Sequence, residues 1–155
     1  MGFVEYHRLG RSKTLPMMTG FQAEGAAPIV RGKPVEDPHT VATAIKIGNP
    51  ASWQKAVAAR DESGGTIGMV SDEEILNAQR LMASKAGVFG EPASAAPLAG
   101  LLKLVAAGTD FSGKRIVCVV TGNGLKDSDI VLKGPMTFLD LPPDVSAIER
   151  GLGWA

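Results

Sequence analysis

The sequence predicts an α/β protein in which helices flank a mostly parallel sheet. Short strand-like and helix-like segments alternate along the chain, which is typical of a sheet built with helical crossovers. Residues 115–122 (RIVCVVTG) are apolar at successive positions, as expected of a strand whose two faces are both covered by helices. A chain of 155 residues is long enough for one domain with a substantial core.

The first third of the chain predicts short elements separated by loops. The opening FVEYHRLG indicates the end of a helix, with Gly10 as its C-cap. Residues 16–24 form a short apolar run that leads into a loop rich in glycine and proline. Residues 39–48 predict a short helix capped by Thr40, and residues 51–61 continue in helical form.

The middle of the chain carries the clearest helix signal. After a turn and a short strand in residues 62–70, Ser71 and Glu74 form a capping box, and Gly87 ends the helix. The apolar stripe of this helix is predicted to comprise Ile75, Ala78, Leu81 and Met82.

After that helix, the sequence predicts further strands and a buried helix, followed by a tail on the surface. VFGEP should end a strand, residues 93–108 should form a buried helix, and residues 115–122 should form the next strand. The segment from about residue 134 to residue 155 is rich in proline and glycine, and we expect it to be an extended tail.

The composition argues against several classes of protein. Acidic and basic residues are balanced at 16 each, so charge favours neither nucleic acid nor a membrane surface as a partner. No apolar run approaches the roughly 18–20 residues that span a bilayer. Cys118 is the single cysteine, which excludes a disulfide framework and favours the reducing cytoplasm.

Common catalytic and metal motifs are also missing from the sequence. His7 and His39 do not cluster with Cys118, so no metal site is predicted. No serine stands in a G-x-S-x-G elbow. The glycine-rich turns match neither a P-loop nor a dinucleotide fingerprint, so nucleotide phosphate binding has no support.

Two turns are candidates for a binding site. Thr121 ends the predicted strand 115–122 and precedes a Gly-Asn-Gly turn, and ligands of open α/β sheets bind beyond the carboxyl ends of strands. Residues 90–96 (GEPASAA) place small residues at a helix start, where free N–H groups are available. Taken singly, each turn is better explained by tight packing or a helix cap than by ligand binding. Two further turns, residues 22–28 and 47–53, could converge with them on one planar ligand.

In order and spacing, these segments resemble the carboxyl-terminal part of the threonine synthase family. The segments are GFQAEGAAPIVRG, TVATAIKIGNPASW, VSDEEILNAQRLMASKAGVFGEPASAAPLAGLLKL and VCVVTGNGLKDSD. That family consists of pyridoxal-phosphate enzymes with the tryptophan-synthase-β-like fold, called fold type II. The resemblance implies that residues 1–133 correspond to most of the large domain.

The resemblance also implies roles for individual residues. The threonine that matches Thr121 places its hydroxyl against the pyridine nitrogen of the cofactor, and a neutral hydroxyl does not force that nitrogen to stay protonated. The backbone matching Ile47 and Gly48 lies beside the cofactor ring. The segment from Glu91 to Ser94 resembles a turn that lines the ring side of the same cleft.

Other parts of the family pattern have no counterpart in this sequence. No lysine stands in a context like that of the family's Schiff-base lysine, and the Gly/Asn-rich loop that holds the cofactor phosphate is missing. We therefore expect no catalytic residue in this chain, and we expect the chain alone to be inactive. Its partner would be the missing amino-terminal half or a homologous subunit, within a homo-oligomer.

The implied reaction converts O-phosphohomoserine and water into threonine and phosphate. Two alternatives remain open at this point. The chain could be a fragment of a related serine/threonine dehydratase-like lyase, or a non-catalytic module that docks onto full-length subunits.

Overall fold

The computed structural model describes residues 2–132 and 138–154. Seven α-helices and two β-strands are found there, together with 3₁₀ turns at Glu24–Ala26, Thr43–Ile45 and Gly124–Asp127. In chain order the helices and strands are α1 (Gly2–Arg8), β1 (Thr19–Ala23), α2 (Pro28–Arg31), α3 (Trp53–Ser63), β2 (Thr66–Val70), α4 (Asp72–Ala86), α5 (Pro92–Ala106), α6 (Ser128–Leu132) and α7 (Val145–Leu152). The α/β class predicted from the sequence is confirmed.

The two strands form a parallel pair. Thr19 of β1 lies opposite Thr66 of β2, and the register continues to Ala23 opposite Val70. The last residue of each strand is fully buried. The strand predicted within residues 62–70 is therefore confirmed, and the parallel direction agrees with the predicted fold class.

Helix α4 confirms the capping box predicted from the sequence. The Ser71 hydroxyl accepts the N–H of Glu74 at 3.1 Å, and the Glu74 carboxylate accepts the N–H of Ser71 at 2.7 Å. Gly87 ends the helix in the left-handed conformation, at φ 65°. The buried stripe differs from the predicted one, because Leu81 is exposed and Gln79 is buried in its place.

Helix α5 packs through small residues against α4 and both strands. Its amino-terminal half is buried, and it contributes Ala95, Ala96 and Ala99 to the core. A Cβ atom at Gly100 would lie 2.2 Å from the Phe21 ring, so glycine allows β1 to approach the helix closely. The buried helix predicted for residues 93–108 is confirmed for this half.

The short helix predicted for residues 39–48 is wrong, since only the 3₁₀ turn Thr43–Ile45 forms there. Thr40 does not cap a helix. Its hydroxyl donates to the Asp72 carboxylate, which also accepts the N–H of Val41 at 3.0 Å. These bonds hold the segment in an irregular conformation and compete with a helix that would start at Thr40.

The strand predicted for residues 115–122 is also wrong. The segment joins no ladder in the described structure, and Gly90 and Asn123 form only an isolated antiparallel bridge. The strand end predicted in VFGEP is likewise reduced to this bridge. Most of the apolar side chains of residues 116–120 are exposed. The physical reason is that a strand requires a hydrogen-bonded neighbour, which no described segment provides.

The segment predicted as an extended tail contains α7, whose first turn is capped by the Asp144 carboxylate accepting the N–H of Ala147 at 2.9 Å. Residues 134–137 and residue 155 of that segment lie outside the described residues. None of the helices described here is both long enough and apolar enough to cross a bilayer.

Candidate functional site

Three of the five predicted site residues converge in the structure. Glu91 immediately precedes α5, Ser94 lies in the first turn of that helix, and Thr121 follows the irregular segment 116–120. Glu91 is 3% exposed and Ser94 is 1% exposed, whereas Thr121 is exposed. The cluster therefore consists of two buried polar residues, Glu91 and Ser94, and one residue that solvent can reach, Thr121.

The Ser94 hydroxyl holds the turn that follows Thr121. Its oxygen accepts the backbone N–H groups of Thr121 and Gly122, each at 2.9 Å. The same oxygen lies 3.0 Å from the carbonyl oxygen of Gly122 and 3.1 Å from the Thr121 hydroxyl. These contacts use the full hydrogen-bonding capacity of a serine hydroxyl.

The Glu91 carboxylate lies beneath the same turn. One carboxylate oxygen accepts the Thr121 hydroxyl at 3.1 Å, and the other lies 4.0 Å from the Lys126 ammonium group. The backbone N–H of Glu91 donates to the Gly122 carbonyl at 2.9 Å. Since a buried carboxylate is costly without partners, these contacts explain how this one is tolerated.

The Gly-Asn-Gly turn is required by close packing. A Cβ at Gly122 would lie 2.4 Å from a carboxylate oxygen of Glu91, and a Cβ at Gly124 would lie 2.5 Å from the Phe89 ring. The N–H of Gly124 also donates to the Phe89 carbonyl at 3.0 Å. Both glycines thus let the turn lie directly on residues 89–91, which places Thr121 next to Glu91.

Ile47 and Gly48 belong to a different contact region. Gly48 accepts the N–H of Val35 at 2.9 Å, and a Cβ at Gly48 would lie 2.0 Å from the Val35 carbonyl oxygen. Ile47 is exposed. Among the described residues, neither hydrogen-bonds with the Thr121 cluster.

The four glycine-rich turns therefore form two groups. Gly25 accepts the N–H of His39 at 3.1 Å, so the turns at Gly25 and Gly48 both pack on the loop of residues 33–39. The turns at residues 90–96 and 121–127 pack on each other. The hydroxyl of Thr43 donates to the Asp127 carboxylate at 2.8 Å and ties the 3₁₀ turn Thr43–Ile45 to the second group.

Sequence reasoning missed two residues that support the site. The Gln79 side chain is buried and donates to the Gly90 carbonyl at 2.8 Å, which fixes the start of the Glu91 turn. Its position one helical turn after Ile75, on the apolar face of α4, is a signal that could have identified it. Lys126 gives no such signal, because its distance to Glu91 depends on how the chain turns at residues 122–124.

Comparison with known proteins places the chain among cofactor-dependent enzymes. A family model described as "Pyridoxal-phosphate dependent enzyme" matches residues 1–122. In structure, the chain is similar to a crystal structure of threonine deaminase from T.th., with a TM-score of 0.50 and 26% identity, over 63% of this chain and 37% of that one. This similarity supports the fold class.

Curated relatives that match the chain carry the name threonine synthase. The protein of Mycobacterium tuberculosis (strain ATCC 25618 / H37Rv) is 53% identical over 154 residues, which cover 99% of this chain and 43% of that protein. That of Synechocystis sp. is 49% identical, covering 99% of this chain and 40% of the relative. The threonine synthase of Methanocaldococcus jannaschii is 45% identical, and the match covers 96% of this chain and 39% of that protein. The chain thus spans less than half the length of these relatives.

Proposed function

The chain belongs to the family of pyridoxal-phosphate dependent enzymes, and we propose that it forms the carboxyl-terminal portion of a threonine synthase. The complete enzyme would convert O-phosphohomoserine and water into threonine and phosphate in the cytoplasm. Relatives bearing that name match the chain almost from end to end, which supports this proposal over a dehydratase-like lyase.

The observation that carries the proposal is that the exposed residue Thr121 is hydrogen-bonded to two buried polar side chains, those of Glu91 and Ser94. A threonine hydroxyl fits a heteroaromatic ring nitrogen, because it can donate or accept one directed hydrogen bond without adding charge. Pyridoxal phosphate, when bound, supplies an electron-withdrawing ring to the reacting substrate.

The residues of this chain would contact the edge of that ring that carries the nitrogen. Thr121 would contact the ring nitrogen, while Ser94 fixes the backbone of residues 121 and 122 so that the hydroxyl keeps its position. The residues at the start of α5 are small, which would let a ring approach this turn closely. Ile47 and Gly48 are proposed to lie beside the ring face when the enzyme is complete.

The remaining machinery would come from the portion of the enzyme that this chain does not match. The sequence contains neither a recognisable Schiff-base lysine nor a phosphate-binding loop. Residues 116–120 would provide a surface for that portion, because they are apolar and largely exposed. A strand from the missing portion would pair with their backbone and cover their side chains. Without it, we expect this surface to cause self-association.

Complementation tests the proposal. This chain would be mixed with the part of the M. tuberculosis relative that it does not match, and phosphate and threonine would be measured with O-phosphohomoserine and added cofactor. We expect no turnover from either part alone and turnover from the mixture that rises with the concentration of the second part.

Two variants and two alternative substrates show which results would contradict the proposal. Val117→Lys should weaken complementation, whereas Val145→Lys, at a similarly exposed position on α7, should not. Threonine formation by the chain alone would contradict the need for a second part. A folded complex that releases a keto acid from serine or threonine would favour the dehydratase alternative. A folded complex with no turnover would favour a docking module.

A further inference from the structure

We propose that Asp127 is a positioning residue. Through its hydrogen bond with Thr43, it holds the loop that carries Ile47 and Gly48 against the 3₁₀ turn Gly124–Asp127. The role of Ile47 and Gly48 beside a cofactor ring rests on the proposed function. The placement of their loop rests on hydrogen bonds among the described residues alone.

The segment from Thr43 to Gly48 is irregular apart from one 3₁₀ turn, in which the Ile45 side chain packs against the core. Apolar packing is non-directional, so it does not by itself set the orientation of the turn. The Thr43 hydroxyl donates to the Asp127 carboxylate at 2.8 Å, and among the described residues this is the one side-chain hydrogen bond that ties the segment to another part of the chain. A hydrogen bond to a charged group is directional and stronger than one between neutral groups, so it can set that orientation.

The backbone carries the position of Thr43 along to Gly48. The N–H of Lys46 donates to the Thr43 carbonyl at 3.1 Å. The N–H of Ile47 donates to the Ile45 carbonyl at 2.8 Å. These bonds make the segment a short, internally hydrogen-bonded unit that has Thr43 at one end and is followed by Gly48 at the other. A shift at Thr43 would therefore move the Gly48 backbone.

Asp127 can serve as the anchor because its own turn is held in place. The N–H of Gly124, at the start of that turn, donates to the Phe89 carbonyl at 3.0 Å. Asp127 is the last residue of the turn and is partly buried. Its bond with Thr43 joins residues 84 positions apart and thereby connects the two groups of glycine-rich turns.

The consequence for the proposed function is a loop that is ordered before the cofactor binds. A loop that already has its bound conformation loses less conformational entropy on binding, and affinity increases accordingly. Loss of the Thr43–Asp127 bond should therefore weaken cofactor binding about two- to tenfold, which is the range expected for one hydrogen bond.

Hydrogen exchange of the full chain, followed by mass spectrometry, tests the anchor without any cofactor. Asp127→Ala should speed exchange in peptides that cover residues 43–48 by about two- to tenfold, while peptides from α4 exchange as in wild type. Asp127→Asn keeps an oxygen that accepts the Thr43 hydroxyl and should behave like wild type. Asp129→Ala, at an exposed carboxylate two positions further on, is the matched control and should also behave like wild type.

A double-mutant cycle tests whether Thr43 is the partner through which Asp127 acts. Relative to the intrinsic exchange rates of the peptides, Thr43→Val should have the same effect as Asp127→Ala. The variant with both changes should exchange no faster than either single variant, because both changes remove one bond. Additive effects, or wild-type exchange in Asp127→Ala, would overturn the inference.

Titration of the complemented complex with pyridoxal phosphate tests the consequence for the site. The dissociation constant should rise about two- to tenfold in Asp127→Ala and stay unchanged in Asp127→Asn and Asp129→Ala. At saturation, the visible circular dichroism of the bound cofactor, which reports the asymmetry around its ring, should weaken in Asp127→Ala alone. Wild-type affinity and circular dichroism in Asp127→Ala would overturn the inference. Absence of cofactor binding by every complex, wild type included, would instead count against the proposed function, and hydrogen exchange would still decide the anchor.

Discussion

Two regions of this molecule have similar apolar composition and opposite environments. In the packed region, formed by β1, β2, α4 and α5, the strand residue Val70 is fully buried. In the irregular segment 116–120, Val117 is 80% exposed. Both valines lie in runs of residues that favour strands. Such a run therefore forms a buried strand only where a neighbouring strand and a covering helix are also supplied.

Core truncation should distinguish the two regions most strongly. Ile75 is fully buried between α4 and its neighbours, so Ile75→Ala should lower the free energy of unfolding by about 2–5 kcal/mol. Val117→Ala should change it by less than about 0.5 kcal/mol, because little is buried at that position. Urea denaturation of the chain measures both.

A milder substitution at the same position serves as a control in case Ile75→Ala does not fold. Ile75→Val should cost about 0.5–1.5 kcal/mol. Equal effects of truncation at residues 75 and 117 would show that the irregular segment 116–120 is packed in solution, which would contradict the contrast between the two regions.

Removal of a capping side chain should also lower the free energy of unfolding more in the packed region than in the second region, but by a smaller amount. Ser71→Ala removes the capping box of α4 and should destabilise the chain by about 1 kcal/mol. In the second region, the Asn123 side chain accepts the N–H of Leu125 at 2.9 Å at the start of a 3₁₀ turn. Asn123→Ala should therefore matter less to global unfolding. A larger loss for Asn123→Ala in thermal melts would reverse the ranking of the two regions.

The smallest expected effect is a dependence on pH. Burial raises the pKa of Glu74, but hydrogen bonds from Ser71 and Lys103 outweigh it, and the pKa is held below its ordinary 4.5. The stabilisation is therefore complete above pH 4.5 and is lost as pH falls through the lower folded-state value. Glu74→Gln, which can keep the capping box, should lose this acid dependence.

The measurement is the free energy of unfolding of wild type and variant between neutral and strongly acid pH. The two should converge as the carboxylate becomes protonated in wild type. Glu73→Gln, at an exposed neighbouring position, should keep the wild-type profile. A constant offset between wild type and Glu74→Gln at all pH values would contradict the assignment to charge.

The sequence was informative where structure depends on local chemistry. The capping box at Ser71 and the αL glycine at residue 87 follow from residues within one turn, so the bounds of α4 were predicted correctly, although its buried stripe includes Gln79 and not Leu81. Residues 115–122 were predicted incorrectly because the pattern describes a strand's preference for burial but not the presence of a partner. The cap predicted at Thr40 was wrong because its hydroxyl bonds to Asp72, 32 positions away along the chain.

The site was predictable to a similar degree. Glu91, Ser94 and Thr121 were each predicted to line a cofactor site, which stays a prediction, and the structure brings the three residues together. Their hydrogen bonds could not be inferred from the sequence, since they depend on how the turn at residues 121–124 lies on residues 89–91. For the same reason, the packing of Gly48 on Val35 could not be foreseen, and although the helical position of Gln79 indicates burial, its bond to the Gly90 carbonyl could not be predicted.

The parallel pairing of β1 and β2 constrains the order of folding. Thr19 meets Thr66 only after about 50 intervening residues have been brought into a closed loop, which carries a substantial entropic cost. Helices α4 and α5 are close in sequence and pack directly on each other, so they can associate early. On a ribosome, β1 would emerge before β2 and would lack this parallel neighbour until β2 and the helical hairpin had followed it.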